Sequence, residues 1–185
     1  AVFNSISESS NGNSSSSSTL SMKPRDVLSC IVDKQLGMNE KPDYISSRAY
    51  IKVLRPTIKS KNGGQERPPW YNACPGVNCK RKVVELDGGL SCVACDKSYP
   101  NKIERYTLSA CICDGTSYTW VSMFDEAGEQ LLGISAKELA VIYENDREQY
   151  NAKFSKVSHQ DYLMNIKCKK STWEGAIQER KEIAK

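Results

Sequence analysis

The clearest alternation of apolar and polar positions runs from Arg105 to Cys113. Tyr106, Leu108, Ala110 and Ile112 fall on one face, with Thr107 and Ser109 on the other, the period of a strand with one buried side. Asp114-Gly115-Thr116 supplies turn residues, so Tyr118 to Phe124 reads as the return strand of a hairpin. Upstream, Tyr44 to Leu54 is rich in β-formers, alternates in part, and is ended by Pro56. Val27, Leu28, Ile31, Val32 and Leu36 have helical spacing, and Gly37 would stop that short helix. Downstream, Ser135-Ala-Lys-Glu138 has the form of a capping box, and the apolar residues after it predict a helix. From Asp161 to Lys169, Tyr162, Met164, Ile166 and Cys168 share one face of a further strand.

The order is therefore strand, insertion, hairpin, helix, strand. That order predicts a mainly β chain: an OB-fold barrel with an insertion between strands 1 and 2 and a helix between strands 3 and 4. A fifth strand should follow, but residues 176–185 are charged and do not alternate. The last strand is accordingly expected to be absent. Residues 1–21 hold ten serines and almost no apolar side chains, too few to offset the entropy of ordering. They are read as a disordered Ser-rich linker, with the domain at 22–185 and its insertion at 70–104. The loop from Lys59 to Pro69, with Asn62-Gly63-Gly64, is long and basic.

The insertion contains Cys74-x4-Cys79 and, twelve residues on, Cys92-x2-Cys95. Two short-spaced pairs on tight turns can meet as a tetrahedral four-thiolate site, the pattern of a zinc ribbon. Two disulfides are the alternative, and a redox use of Cys92 and Cys95 is a weaker one. Four thiolates leave no open coordination position, so the expected Zn2+, one per chain, is structural rather than catalytic. Cys30, Cys111, Cys113 and Cys168 lie on apolar-patterned elements and are read as plain buried thiols. The chain has one histidine, His159, which excludes an H-E-x-x-H metalloenzyme. No carboxylate cluster, phosphate loop or nucleophile–base pair suggests any other enzyme. The apolar runs are far shorter than the roughly 20 residues that span a bilayer. The chain opens on Ala1 without a charged-then-apolar leader, so a fragment or processed product is expected, without a secretory signal.

The chain of 185 residues has a net charge of only +4, but the charges are segregated. In 50–70, Lys52, Arg55, Lys59, Lys61 and Arg67 stand against Glu66 alone. Lys153, Lys156, Lys167, Lys169 and Lys170 likewise outnumber Asp161. In 125–150, seven acids face two bases. A basic face is what a phosphate backbone requires, though such runs are also ordinary solvated surface. In the strand from Tyr118 to Phe124, Val121 and Met123 suit an inner face. That would turn Trp120 and Phe124 outward, where bases of a single strand could stack on them. The opposite assignment, with Trp120 and Phe124 in the core, stays open at this point. Trp173, in a polar stretch after Lys167 to Lys170, is read as a loop aromatic facing a ligand.

Several stretches together resemble one family: Leu36-Gly-Met-Asn-Glu-Lys-Pro-Asp-Tyr-Ile-Ser-Ser47, Tyr71-Asn-Ala-Cys-Pro75, Cys79-Lys-Arg-Lys-Val83, Cys92-Val-Ala-Cys-Asp96, Arg105-Tyr-Thr-Leu108, Trp120-Val-Ser-Met-Phe124 and Leu131-Leu-Gly133. The chain resembles the third large-subunit DNA-binding domain of replication protein A, or a telomere or telomerase paralogue of it, over about residues 28–173. The resemblance implies an OB-fold with the zinc ribbon inserted between its first two strands. It implies single-stranded-DNA binding without catalysis, in nuclear replication, repair and recombination, beside the two smaller subunits of a heterotrimer. It further implies that Trp120, Phe124 and Trp173 stack on bases and that Arg105 is a basic contact near the ribbon. Lys167 and Lys169 complete the expected DNA-binding set. The C-terminus does not resemble the family's last strand and trimerisation helix. The alternative function is a protein-interaction module whose barrel and ribbon serve assembly, with weak or no DNA binding.

Overall fold

The structure is a computed structural model that describes residues 4–5, 25–59, 66–86, 89–173 and 176–184, with backbone only for 4, 5, 173 and 176–178. In chain order the elements are β1 (Asn4–Ser5), α1 (Cys30–Asp33), β2 (Asp43–Leu54), β3 (Trp70–Ala73), β4 (Val84–Leu86), β5 (Gly89–Cys92), β6 (Lys97–Tyr99), β7 (Ile103–Cys113), β8 (Tyr118–Phe124), α2 (Asp125–Leu132), α3 (Ala136–Asn145), α4 (Arg147–Val157), β9 (Asp161–Trp173) and β10 (Ala176–Ile183). Strands β2, β7, β8, β10 and β9 pair in that order, and β9 returns to β2, which closes a barrel. One strand must therefore serve two neighbours along its length. β2 pairs with β9 through Asp43–Tyr50 and with β7 through Tyr50–Leu54, and a register shift between Ile51 and Val53 marks the bend.

The alternation predicted for β7 is present, although Cys111 on its other face is buried as well. Tyr106, Leu108, Ala110 and Ile112 of β7 are buried, as are Val121 and Met123 of β8 and Met164 and Ile166 of β9. The turn between β7 and β8 is built by Asp114, which accepts from the Thr116 and Ser117 amides and reaches back to the Leu28 amide at 2.6 Å. The bottom of the barrel is closed by helices. Ser135 caps α3 in the expected box: its hydroxyl accepts from the Glu138 amide while Glu138 accepts from the Ser135 amide. Where the sequence predicted one helix, three lie between β8 and β9. α2 contributes Ala127, Leu131 and Leu132 to the core, and α4 contributes Tyr150, Phe154 and Val157. Edge-to-face contacts run from Trp70 to Tyr143 and Tyr150, and Phe154 tilts against Tyr150.

The fifth strand, expected to be absent, is present as β10, in an unbroken antiparallel register with β9 from Ala176↔Trp173 to Ile183↔Ile166. It needs no apolar stripe because backbone pairing and charge hold it. Glu182 pairs with Lys169 at 3.0 Å and with Arg180 at 3.1 Å, and of its described side chains Ile183 alone lies in the core. Trp173, expected in a loop, is the last residue of β9. The short helix expected near Val27–Leu36 is reduced to the four residues of α1 and the turns after it. Of the Ser-rich segment, Asn4–Ser5 pair with Leu163 and Tyr162 of β9, and the rest lies outside the described residues. So do residues 60–65 of the basic loop, whose flanks Ile58 and Arg67 bridge.

Gly37 ends the α1 region with φ +80°, and a Cβ there would lie 2.9 Å from the backbone of Cys168 and Lys169. Gly37→Ala is expected to cost at least about 1–3 kcal/mol for the strained backbone alone, with the clash adding to it. Chemical denaturation of the variant against the parent measures this.

Candidate nucleic-acid interface and metal centre

β3 runs directly into Cys74, and three residues separate the end of β6 from the start of β7. Between them β4, β5 and β6 form a separate three-stranded sheet. This ribbon has almost no apolar interior: Cys74, Val83 and Cys92 are its buried residues. Its two ligand loops are tight turns, closed by Cys79 N–H to Gly76 C=O at 3.0 Å and Cys95 N–H to Cys92 C=O at 3.2 Å. Gly76 is required by close approach. Its amide donates to Cys74 Sγ, and a Cβ would meet the Tyr99 hydroxyl at 2.8 Å and Cys74 Sγ at 3.2 Å.

The Sγ atoms of Cys74, Cys79, Cys92 and Cys95 all lie within 4.8 Å of one another. Cys74 and Cys95 are 3.8 Å apart, as are Cys79 and Cys92. All four are free thiols, and these separations are far beyond the roughly 2 Å of a disulfide. A tetrahedron of metal–sulfur bonds of about 2.3 Å has edges of about 3.8 Å, so the cage fits a four-coordinate cation. The neighbouring Cys79 and Cys92 thiols push Cys95 up to about 12. Burial opposes the Cys92 thiolate, but the Cys95 amide, the Cys74 thiol and the Ala94 amide together bring it down to about 7. Negative charges this close repel one another, so a cation between the sulfurs would stabilise the cage.

The outer side of β8 is the second feature. Val121 and Met123 are 1% exposed, whereas Trp120 is 40% and Tyr118 68% exposed. The outward assignment of Trp120 and Phe124 is thus the observed one. Each aromatic on this side has a cation beside its ring. Lys52 Nζ lies 5.8 Å from the Tyr118 centroid, Arg55 Cζ 4.3 Å from Trp120, and Arg180 Cζ 5.1 Å from Phe124. Cross-strand register explains the grouping, since Val53 of β2 pairs with Cys111 of β7, which pairs with Trp120. β10 brings Arg180 to the other flank through Glu182↔Ser122. Farther round, Lys167 Nζ is 5.8 Å from the ring of Tyr44, which is 60% exposed.

Not every expected basic contact is free. Arg105 is in an ion pair with Asp125 at the start of α2, and its Nε is buried without a hydrogen-bond partner. Lys169 is tied to Glu182. Arg55 and Arg180, by contrast, were not singled out in the sequence. Arg55 lay inside a basic run, but its ring partner depends on strand pairing, which the sequence does not display. Arg180 also lines an open groove with Val77, Asn78, Lys80, Arg81 and Ala94, so the ribbon and the β8–β10 face border one surface. Of the four thiols outside the ribbon, Cys111 and Cys168 are buried, while Cys30 and Cys113 are only half-buried. The Gly115 amide and the Tyr50 hydroxyl hold Cys113 below its ordinary pKa.

A closed five-strand barrel, with a four-cysteine ribbon between its first and second strands, makes this an OB-fold protein with a ribbon insertion. More narrowly, the chain belongs to the family described as Replication factor-A C terminal domain, which it matches over residues 44–185. It is 30% identical over 174 residues to the replication protein A 70 kDa DNA-binding subunit of Drosophila melanogaster, covering 94% of this chain and 26% of that protein. It is 33% identical over 141 residues to the protein of the same description in Xenopus tropicalis, covering 76% of this chain and 22% of that protein. The chain thus spans about a quarter of the length of these relatives. Among solved structures, it superimposes with a TM-score of 0.75 and 30% identity on a replication protein A heterotrimer bound to ssDNA, over 87% of this chain and 35% of that one. Yeast RPA bound to ssDNA gives a TM-score of 0.72 at 28% identity, over 89% of this chain and 87% of that one.

Proposed function

We propose that this chain binds single-stranded DNA, without catalysis, as one DNA-binding unit of a nuclear replication protein A-type complex with two smaller subunits. The observation that carries this is the row on β8: aromatic rings turned outward from a well-packed strand, each with a cation alongside. A ring supplies a face for any base, and a cation supplies a counter-charge for the adjoining phosphate. Magnitudes favour exchange of the Arg55 side chain for a base on Trp120. An exposed cation–π contact contributes about 0.5–1 kcal/mol, against roughly 1–3 kcal/mol for a stacked base. The released guanidinium then remains within reach of the phosphate.

Trp120 and Phe124 are assigned as stacking residues, and Trp173 as the aromatic brought in by the β9–β10 hairpin. Arg55 and Lys167 are assigned to phosphates, as is Arg180, which would exchange its pair with Glu182 for one. Lys169 contributes by holding Glu182, and Arg105 by holding Asp125. Cys74, Cys79, Cys92 and Cys95 are assigned as ligands of one structural Zn2+. The ion would supply four bonds in a ribbon that lacks a core of its own.

Titrating a fluorescent oligo(dT) at a series of salt concentrations tests the reading. A salt slope of about 2 is expected, from three phosphate contacts at ~0.7 each on a single strand. Undetectable binding, or binding indifferent to salt, would replace it with a module for protein assembly.

A further inference from the structure

The interface does not stop at Phe124. That residue pairs across the ladder with Thr107, and Thr107 lines an open groove with Arg67 and Lys82. Pro68, Trp70 and Asn72 border this groove and also the next, which runs between β3 and α3 past Lys102 and Lys137. Trp70 is a rigid wall, since Tyr143 at 5.4 Å and Tyr150 at 6.3 Å meet it edge-on. The lining carries four cations against Glu104 and Glu144. Among the described residues, none of Arg67, Lys82, Lys102 and Lys137 is in an ion pair. Four cations without an ion pair thus line a track that starts beside a stacking residue.

We propose that this groove is an exit path for the bound strand: its sugar–phosphate backbone passes Thr107, skirts Trp70 and runs between β3 and α3 toward Lys102 and Lys137. The inference rests on the single-strand reading above and adds a second stretch of phosphate contacts to it. The track is continuous with the β8 face and open to solvent, so a chain of any length can enter and leave. Contacts in this stretch are to the backbone, with no sequence preference.

The experiment compares oligo(dT) of about 5 and about 12 nucleotides, within the ~4–16 nucleotides that one OB-fold engages. Both are titrated into the 185-residue chain and into a Lys102→Ala/Lys137→Ala variant at a series of salt concentrations. The expected result is that the variant binds the short oligonucleotide within twofold of the parent. On the long one, its salt slope is shallower by about 1.4, from two phosphates at ~0.7 each. Both lysines are exposed, and an unchanged melting temperature would show the fold intact. A long-oligonucleotide slope identical to the parent's overturns the exit path and leaves the β8 interface standing. If the parent binds neither oligonucleotide, the single-strand reading itself fails, and the path with it.

Discussion

Truncating Trp120 to Ala is expected to weaken single-strand binding by about 1–3 kcal/mol, roughly 5- to 150-fold, while leaving the melting temperature almost unchanged. The ring stands outward from β8, so little core is lost with it. The loss should be similar for oligo(dT) and oligo(dA), because stacking does not read base edges. Met123→Ala, three residues on and 1% exposed, should do the reverse. It opens a core cavity at a cost of about 2–5 kcal/mol in stability, yet the fraction that remains folded should bind normally. The pair measured together, by fluorescence anisotropy and by thermal melting, separates a contact surface from a structural one. If Trp120→Ala melted the domain and kept full affinity, the stacking role would have to move to other residues.

Removing the proposed Zn2+ should have the largest effect on any single element. In zinc-finger peptides the apparent binding free energy of structural zinc is about 10–16 kcal/mol, and among the described residues the ribbon has three buried side chains to substitute for it. Cys92→Ser, or prolonged chelation, should therefore abolish hydrogen-exchange protection of the β4–β6 amides. The barrel has a separate core, from Leu28 to Ile183, and its protection should persist. Elemental analysis of protein purified without added metal is expected to show one zinc per chain. Acidification should release the ion, because its ligands must be thiolates, and proton uptake at low pH favours the free thiols. Loss of protection throughout β2, β7 and β8 would show that the two sheets fold as one unit.

The hairpin and the inner face of β7 were legible because burial imprints a period of two. β8, by contrast, sets Trp120 and Phe124 against Val121 and Met123, apolar on both sides, so its inner face stayed open in the sequence. The cysteine cage was legible for a different reason: ligand spacing is a local property. Other parts were hidden. β10 is charged rather than alternating in hydropathy, and beyond its own Arg180–Glu182 and Lys181–Glu179 pairs it is held by Lys169 and the β9 backbone, neither visible within 176–183. α4 does carry Tyr150, Phe154 and Val157 at helical spacing, but its many charged residues masked the stripe. α2 starts immediately after Phe124 with Asp125 and Glu126, which read as acidic surface although they suit a helix N-terminus. The cations beside the rings were hidden for the deepest reason. Arg55 and Arg180 reach Trp120 and Phe124 only through pairing between distant strands.

Ring closure has one more consequence. Among the described residues each of the five barrel strands has a neighbour on both sides, although β8 and β10 meet only at Glu182↔Ser122, so the barrel ring offers little open edge to another chain. The exposed edges of the ribbon sheet belong to three-residue strands. β4, with Val84 and Leu86 44% and 58% exposed, is short enough while the thiols are ligated to be a poor template. Once the cage is emptied, β4–β6 become free extended segments with apolar side chains, the usual starting point for clumping. With the cage holding a cation as proposed, the shelf life of this protein would be governed by its sulfur chemistry rather than by its barrel. Preparations that lose metal or oxidise should precipitate through the ribbon while the barrel inside the precipitate is still folded.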